Sequence, residues 1–317
     1  MKRLFIGILL CFTFVCRIFA QFDGQFSQYM HNFCIVNPAY TGGQDMMQVT
    51  IMQRTQWLGF KGAPIVSLLS ADAPFKIGKS EHGAGVQFLS DIFGVFNNQQ
   101  VNFSYSYKIK FKKNGNSLGL GAHLGFINVI CHGDSIHLDK VSSDYHEVND
   151  DAIPSTEVTG IGFDMGLGAQ YSTLKWRVGF SALHLNNPKI KLGENVDMRV
   201  KPFFMVNGGY DFATKNPNLG FRANLLVATD LTSWTFHASL LADIKEKYWV
   251  GLGYRLQDAV SFSFGLKIFE GFKMGYTFDL PNNKFIAKSI GSHEIFASYE
   301  FALVREKSKS YKSIRIL

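Results

Sequence analysis

Apolar and polar residues alternate with a period of two along most of the chain beyond residue 44. Between residues 101 and 109, the odd positions are Val, Phe, Tyr, Tyr and Ile, while the even positions are Asn, Ser, Ser and Lys. The same alternation runs through 234–244, 260–268 and 272–280, with Leu241 as an exception in the first of these. A helical period would spread such residues around an axis, so the pattern predicts β-strands with one apolar and one polar face.

The alternation predicts fourteen strands, an even number that suits a chain whose two ends lie on the same side. Each strand that crosses a membrane needs about 9–11 residues, so fourteen strands fit comfortably within the chain. The predicted strands are 46–54, 65–73, 84–91, 99–110, 117–129, 160–172, 176–184, 201–212, 218–229, 233–245, 248–256, 259–268, 271–280 and 293–304.

The apolar face of these strands is rich in Phe and Tyr, whereas the opposite face carries Ser, Gly, Asn, Thr and occasional charges. Apolar side chains toward lipid, aromatic girdles and a polar interior are typical of transmembrane β-barrels. Only a closed barrel lets strands in lipid pair every backbone group. We therefore predict an all-β fold, an antiparallel outer-membrane barrel, and we attribute the glycines of the inner face to tight coiling of the strands.

The predicted connections alternate between short and long, as in outer-membrane barrels, where short turns face the periplasm and long loops face outside. Short polar turns are predicted at 112–116, 172–175, 215–218, 246–247 and 270–271, and longer linkers at 130–159, 185–200 and 281–292. No linker has the character of a domain boundary, so we expect one barrel with both termini in the periplasm.

The composition agrees with this picture and excludes two other classes. The chain is 46% hydrophobic and only 18% charged, with 30 Phe and 30 Gly among 317 residues. Membrane helices need runs of about 20 apolar residues, and the strand regions contain none. The apolar content also excludes a disordered chain.

Residues 1–20 are predicted to be a cleaved signal peptide. Lys2 and Arg3 precede an apolar run of twelve residues, and Ala20 offers a small residue at the cleavage point. Removing this segment lowers the net charge from +7 to +4, because it carries three basic residues. Nucleic acid is therefore not an expected partner.

Two cysteines, Cys34 and Cys131, remain after cleavage, and the sequence leaves their pairing open. The linker 130–159 holds several His, Asp and Glu residues but lacks the spacing of a cation-binding loop. We read it as a solvated acidic loop.

Gly-rich runs do not follow a strand-to-helix pattern, and no nucleophile motif is present, so no cofactor, metal or catalytic residue is predicted.

The segment before the first predicted strand carries distinctive motifs: QFSQYM at 25–30, NPAYTGG at 37–43 and RTQWLGFKGAP at 54–64. Its aromatic and amide side chains are suited to a barrel lumen. With LSADAPF at 69–75 and GAGVQFLSD at 83–91, these motifs resemble the PorP/SprF family of Bacteroidetes outer-membrane proteins, which is associated with type IX secretion and gliding motility. The resemblance extends over most of the chain.

The resemblance implies a fourteen-stranded, non-enzymatic barrel that acts beside secreted adhesins or cargo with type B C-terminal domains. Some family members work with periplasmic peptidoglycan-binding proteins. The residues that match the family motif are candidates for partner binding or for barrel structure; they are Gln25, Tyr29, Asn37, Pro38, Tyr40, Arg54, Gln56 and Trp57.

The predicted organisation has four parts: a signal peptide at 1–20, a periplasmic or lumenal segment at 21–44, the barrel at 45–304 and a basic periplasmic tail at 305–317. The leading functional hypothesis is a barrel that partners secretion or surface anchoring of a type IX cargo or gliding adhesin. The alternative is an outer-membrane channel or transporter for a small solute. An open interior would favour the channel, and a filled interior would favour the scaffold.

Overall fold

The computed structural model describes residues 24–111, 115–133, 156–193, 196–283 and 289–302. The predictions for the signal peptide, for the acidic residues at 134–155 and for the tail at 305–317 therefore fall outside the described residues. Among the residues described, no helix has the length and apolar character needed to cross a membrane.

Fourteen antiparallel strands close into a barrel, and each strand pairs with both neighbours. The first strand closes on the last, with Met47 opposite Phe301 and Thr55 opposite His293. The barrel strands are β1 Met47–Thr55, β2 Ile65–Ile77, β3 Ser80–Phe93, β4 Phe96–Phe111, β5 Asn116–His132, β6 Glu157–Ser172, β7 Trp176–Leu183, β10 Phe203–Phe212, β11 Leu219–Thr229, β12 Trp234–Ile244, β13 Tyr248–Arg255, β14 Ala259–Phe269, β15 Phe272–Pro281 and β16 Ser292–Phe301. The predicted fold and strand number are confirmed.

The linker predicted at 185–200 contains an additional hairpin, formed by β8 Lys189–Leu192 and β9 Val196–Arg199. Ile190 and Leu192 of this hairpin are buried against Ile127 and Val129 on the inner face of β5. The hairpin therefore folds over the inner wall, and its four-residue strands were too short for the alternation to reveal.

The outer face carries the predicted apolar and aromatic residues, and their exposure shows which way they point. Phe103 is 58% exposed and Ile161 is 67% exposed, although both are large and apolar. Near the short turns, an aromatic belt faces outward, formed by Tyr107, Trp176, Tyr210, Tyr248 and Tyr299. Such a belt is typical of the boundary between lipid and water.

The connections define two ends of the barrel. At the short-turn end, the strands are joined by brief connections such as 78–79, 173–175, 245–247 and 270–271. The long-loop end holds the longer connections 56–64, 133–156, 184–202 and 282–291, together with three brief ones. The turns predicted from sequence fall at the short-turn end, and the predicted long linkers fall at the other.

Candidate functional site inside the barrel lumen

Residues 24–44, here called the lumenal segment, lie inside the barrel and touch its inner wall on several sides. The Asn32 side chain donates a hydrogen bond to the Ser70 hydroxyl on β2, at 2.5 Å. On β7, the Ser181 hydroxyl donates to the Val36 carbonyl, also at 2.5 Å. Because β2 and β7 lie in different parts of the closed sheet, these contacts place the segment across the lumen.

The lumenal segment runs from the long-loop end to the short-turn end. The Gln25 amide donates to the hydroxyl of Thr235, which lies at the start of β12 at the long-loop end (3.3 Å). The Gly42 N–H donates to the Asp72 carboxylate, toward the other end (2.7 Å). The described chain therefore begins and ends at opposite ends of the barrel, since β16 finishes at the short-turn end. The shared periplasmic side expected for both termini stays a prediction, because residues 1–23 and 303–317 lie outside the described residues.

Three short 3-10 turns, Tyr29–His31, Phe33–Ile35 and Pro38–Tyr40, make the lumenal segment compact. Asn37 begins the last turn, because its side-chain oxygen accepts a hydrogen bond from the Ala39 N–H at 2.9 Å. Asn and Ser are common at this position, and proline follows readily because it needs no hydrogen-bond donor there. The sequence Asn-Pro thus sets the local backbone.

The same asparagine fastens the turn to the wall. Its side-chain nitrogen donates to the Ala169 carbonyl on β6 at 3.0 Å and to the Phe180 carbonyl on β7 at 3.3 Å. Asn37 is fully buried. One side chain therefore both starts the turn and attaches it to two barrel strands.

Glycines on the inner wall make room for this turn. A Cβ at Gly121 on β5 would collide with the backbone of Pro38, and one at Gly168 on β6 would collide with the Asn37 side chain. The sequence suggested that inner-face glycines serve strand coiling. At these two positions, the close approach of the lumenal segment gives a more specific reason.

A buried cluster of charges holds the other end of the segment, near the long loops. This charged latch consists of Ser27, Arg54, Arg255, Asp279 and Glu294, none more than 4% exposed. The Arg54 guanidinium lies 2.6 Å from the Asp279 carboxylate and 3.2 Å from that of Glu294. The latch therefore joins β1, β13, β15 and β16 around the start of the lumenal segment.

Ser27 lies at the centre of the charged latch. Its hydroxyl donates to Asp279 at 2.7 Å and accepts from Arg54 at 2.9 Å and Arg255 at 2.8 Å. The backbone N–H groups of Ser27 and Gln28 each donate to a Glu294 oxygen at 2.7 Å. Hydrogen bonds to carboxylates are stronger than those between neutral groups, so this end of the segment is held tightly.

The motif residues divide between the lumen and a loop. Gln25, Tyr29, Asn37, Pro38 and Tyr40 belong to the lumenal segment, and Arg54 of β1 belongs to the charged latch. By contrast, Gln56 and Trp57 lie in the connection after β1. The Gln56 N–H donates to the Pro64 carbonyl at 2.9 Å, and the Trp57 N–H donates to the Ser292 hydroxyl at 3.0 Å.

Of the two tyrosines in the segment, Tyr29 is buried and Tyr40 is half-buried. Tyr29 is 1% exposed, and its ring meets the His237 ring edge-on with centroids 5.3 Å apart. The Tyr40 ring stacks on Phe33 at 4.7 Å.

Sequence reasoning missed the wall residues of the latch, Arg255, Asp279 and Glu294. Asp279 follows Gly275 and Thr277 on the inner face of β15, and Glu294 lies between Ser292 and Phe296 on the inner face of β16. The sequence does offer one signal for these residues, which is a carboxylate on the inner face of a strand. Such a charge needs a partner when the lumen is filled.

The family model described as type IX secretion system membrane protein PorP/SprF matches residues 18–299. The chain belongs to the PorP/SprF family. Its resemblance to that family is thereby confirmed, and the chain is an outer-membrane β-barrel of a secretion-system family. A search of curated protein sequences gives no significant match.

Similar solved structures include three outer-membrane proteins. Omp33 of Acinetobacter baumannii shares 8% identity, covering 82% of this chain and 100% of that one, with a TM-score of 0.48. The CymD monoaromatic hydrocarbon channel shares 13% identity over 90% and 95% of the two chains, with a TM-score of 0.48. A FadL homologue from Pseudomonas aeruginosa shares 10% identity over 84% and 93%, with a TM-score of 0.45.

The lumenal segment of this PorP/SprF member leaves a wide polar basin at the short-turn end, with a volume of ≈ 530 Å³. Three lysines, Lys76, Lys108 and Lys110, line it together with Glu81 and His82. Lys110 pairs with Glu81 at 2.7 Å, whereas Lys108 donates to a backbone carbonyl of the lumenal segment. This end is therefore polar and open.

A second polar cluster of this PorP/SprF chain lies on the inner wall at His123, Asp164 and His184. The two histidines bind opposite oxygens of the buried Asp164 carboxylate, at 3.2 and 2.9 Å. Their contacts converge on the carboxylate and not on a shared centre. Within the described part of the chain, no group of three or more His, Cys, Asp or Glu residues is arranged to hold a metal ion.

The two cysteines that the sequence left open are both free thiols. Cys131 is buried at the end of β5, and Cys34 lies half-buried in the lumenal segment. The lumenal segment is therefore held by hydrogen bonds, ion pairs and packing, with no disulfide between these two residues.

Proposed function

We propose that this PorP/SprF member is a non-enzymatic outer-membrane barrel that partners the secretion or surface anchoring of a type IX cargo or gliding adhesin. Membership of a type IX secretion family supports the link to secretion. The observation that carries the scaffold role is the filled lumen, because residues 26–30 and 36–39 of the lumenal segment are buried inside the barrel. A protein that works mainly as a diffusion channel needs an open interior.

In this proposal the short-turn end faces the periplasm and the long-loop end faces the cell exterior, as in other outer-membrane barrels. The partners are a secreted cargo or adhesin with a type B C-terminal domain, and a periplasmic peptidoglycan-binding protein. The aromatic belt near the short turns supports this placement in lipid.

The channel for a small solute remains the second candidate, and one observation favours it. Cavities lie at both ends of the lumenal segment, one of ≈ 90 Å³ at the long-loop end and one of ≈ 530 Å³ at the short-turn end. Movement of the segment between them would join the two spaces into one path.

Crosslinking in intact cells, followed by purification of the barrel, tests the proposal. We expect a secreted or periplasmic protein to be recovered with the barrel, and the purified barrel to show little ion conductance in planar lipid bilayers. Recovery of no partner, together with stable solute conductance, would reject the scaffold role in favour of the channel.

A further inference from the structure

The lumen of this barrel has an apolar cavity at the long-loop end, which is unusual because barrel interiors are ordinarily polar. The cavity lies between the lumenal segment on one side and the inner faces of β3, β4, β7, β10, β11 and β12 on the other. Its apolar lining is Phe26, Ile35, Val36, Leu89, Leu183, Phe203, Met205, Leu226 and Ala228.

Among the described residues, the polar part of the lining carries no carboxylate, lysine or arginine. It consists of side chains with amide, hydroxyl or imidazole groups, which are Gln25, Tyr29, Gln87, Gln100, Asn102, His184, Thr235 and His237. A charged ligand would lose its hydration here without gaining a counter-charge. The lining therefore selects an uncharged occupant.

The size of the cavity limits the occupant to one ring. Its volume of ≈ 90 Å³ is of the same order as the engineered apolar cavity of about 150 Å³ that binds benzene. An apolar pocket with a few polar groups is the usual form of a small-molecule site.

Tyr29 provides a polar anchor for such an occupant. Its hydroxyl is buried and has no hydrogen-bond partner among the described residues, and its side chain lines the cavity. The Nε2 atom of the nearby His237 is also buried and has no hydrogen-bond partner among the described residues. A buried hydroxyl without a partner lowers stability, and a ligand that accepts a hydrogen bond from it would remove this cost.

We propose that the cavity at the long-loop end is a binding site for a small, uncharged, single-ring molecule that carries one hydrogen-bonding group. The apolar wall holds the ring, and the Tyr29 hydroxyl bonds the polar group. The inference goes beyond the partnering role, and its test does not depend on any secretion partner.

The test uses 4-fluorophenol as the probe and the full mature chain in lipid nanodiscs, followed by ¹⁹F NMR. Nanodiscs without protein correct for partition of the probe into lipid. We expect saturable binding with a dissociation constant on the order of 1 mM, well below the affinity ceiling for eight heavy atoms. Native protein that shows no saturable binding would overturn the proposal and leave the cavity a packing defect.

Two leucine substitutions on β11 provide a matched pair. Ala228→Leu fills the cavity and is expected to weaken binding at least tenfold. Ala223→Leu is the control: Ala223 pairs with Leu240, which is 47% exposed on the outer face, so binding should be unchanged. Folding of each variant is checked by its heat-shifted gel band. Equal binding by folded Ala228→Leu and native protein would contradict the assigned location.

Two further variants keep the test informative if Ala228→Leu does not fold. Tyr29→Phe removes only the hydroxyl, so it should weaken binding of 4-fluorophenol severalfold and leave binding of fluorobenzene unchanged. Leu226→Ala enlarges the cavity and should admit 4-fluoro-1-naphthol, which we expect the native cavity to exclude. Equal losses for both probes in Tyr29→Phe, or no gain in Leu226→Ala, would count against the site.

Discussion

The two ends of the lumen hold the same segment by different means. Near the long loops, the charged latch surrounds Ser27 with two arginines and two carboxylates that are nearly excluded from solvent. Near the short turns, the turn at Asn37 fits against glycines of the wall and opens onto a wide polar basin. One end therefore depends on buried ion pairs, and the other depends on shape and on separate hydrogen bonds to the wall.

This difference predicts different responses to mutation. Removing one partner of a buried ion pair strongly lowers the stability of the fold, because the other charge remains buried without compensation. Where a glycine lies in close contact with another segment's backbone, adding side-chain atoms also lowers the stability of the fold. The two ends can thus be separated by removing charge at one and adding volume at the other.

The largest effect is expected for Arg54→Met in the charged latch. The variant leaves Glu294 buried without its guanidinium partner and Asp279 with only the more distant Arg255, 4.0 Å away, so we expect a loss of about 3–5 kcal/mol in the free energy of unfolding. Urea unfolding from lipid vesicles measures it. Lys267→Met is the control, because Lys267 pairs with Glu270 in an exposed contact at 3.4 Å. The control should change stability by less than about 1 kcal/mol, and equal losses would refute the role of the latch.

A smaller effect is expected for Gly168→Val at the other end. The added atoms meet Asn37 and Pro38, so overpacking should cost about 1–3 kcal/mol and make the lumenal segment more sensitive to added protease. Gly220→Val is the matched control, because a Cβ at Gly220 meets only the Asp243 side chain at 3.7 Å. If both variants resist protease equally, the close fit at Gly168 does not hold the segment.

The smallest effect is expected for Asn37→Ala, which removes the start of the third turn and two bonds to the wall. Loss of such a cap and its neutral hydrogen bonds should cost about 1–2 kcal/mol, measured by the same urea unfolding. The control Asn218→Ala changes an exposed turn residue and should stay within about 0.5 kcal/mol. A neutral Asn37→Ala would show that packing alone holds this end.

The sequence was sufficient to predict the barrel wall, because alternation over ten residues specifies both a strand and its outward face. It was less informative at strand ends. β3 was predicted as 84–91 and extends over Ser80–Phe93, where polar residues at its start obscure the alternation. The hairpin β8–β9 was missed for a related reason, since four residues give only two positions on each face.

The lumenal site was harder to predict from sequence than the wall. Motif residues indicated the segment and Arg54, but their partners Asp279 and Glu294 lie more than 220 positions further along the chain. Only closure of the barrel, which pairs β1 with β16, brings these groups together. The exception Leu241 shows the same limit: it breaks the alternation because it packs inward, in the apolar cluster that includes Tyr29.

Passage of residues 24–44 through the lumen can be measured by crosslinking Asn32→Cys to Ser70→Cys in a background with Cys34→Ser and Cys131→Ser. The Asn32 amide nitrogen and the Ser70 hydroxyl oxygen are 2.5 Å apart, so cysteine thiols at these two positions should lie within reach of a short bis-maleimide crosslinker in the folded barrel. The control pairs Asn32→Cys with Ser239→Cys. Ser239 lies on β12, which is six strands around the barrel from β2, the strand of Ser70. We expect a crosslink for the first pair and none for the second. Absence of the first crosslink in a heat-shifted, folded barrel, or equal yields for both pairs, would contradict passage of the segment through the lumen.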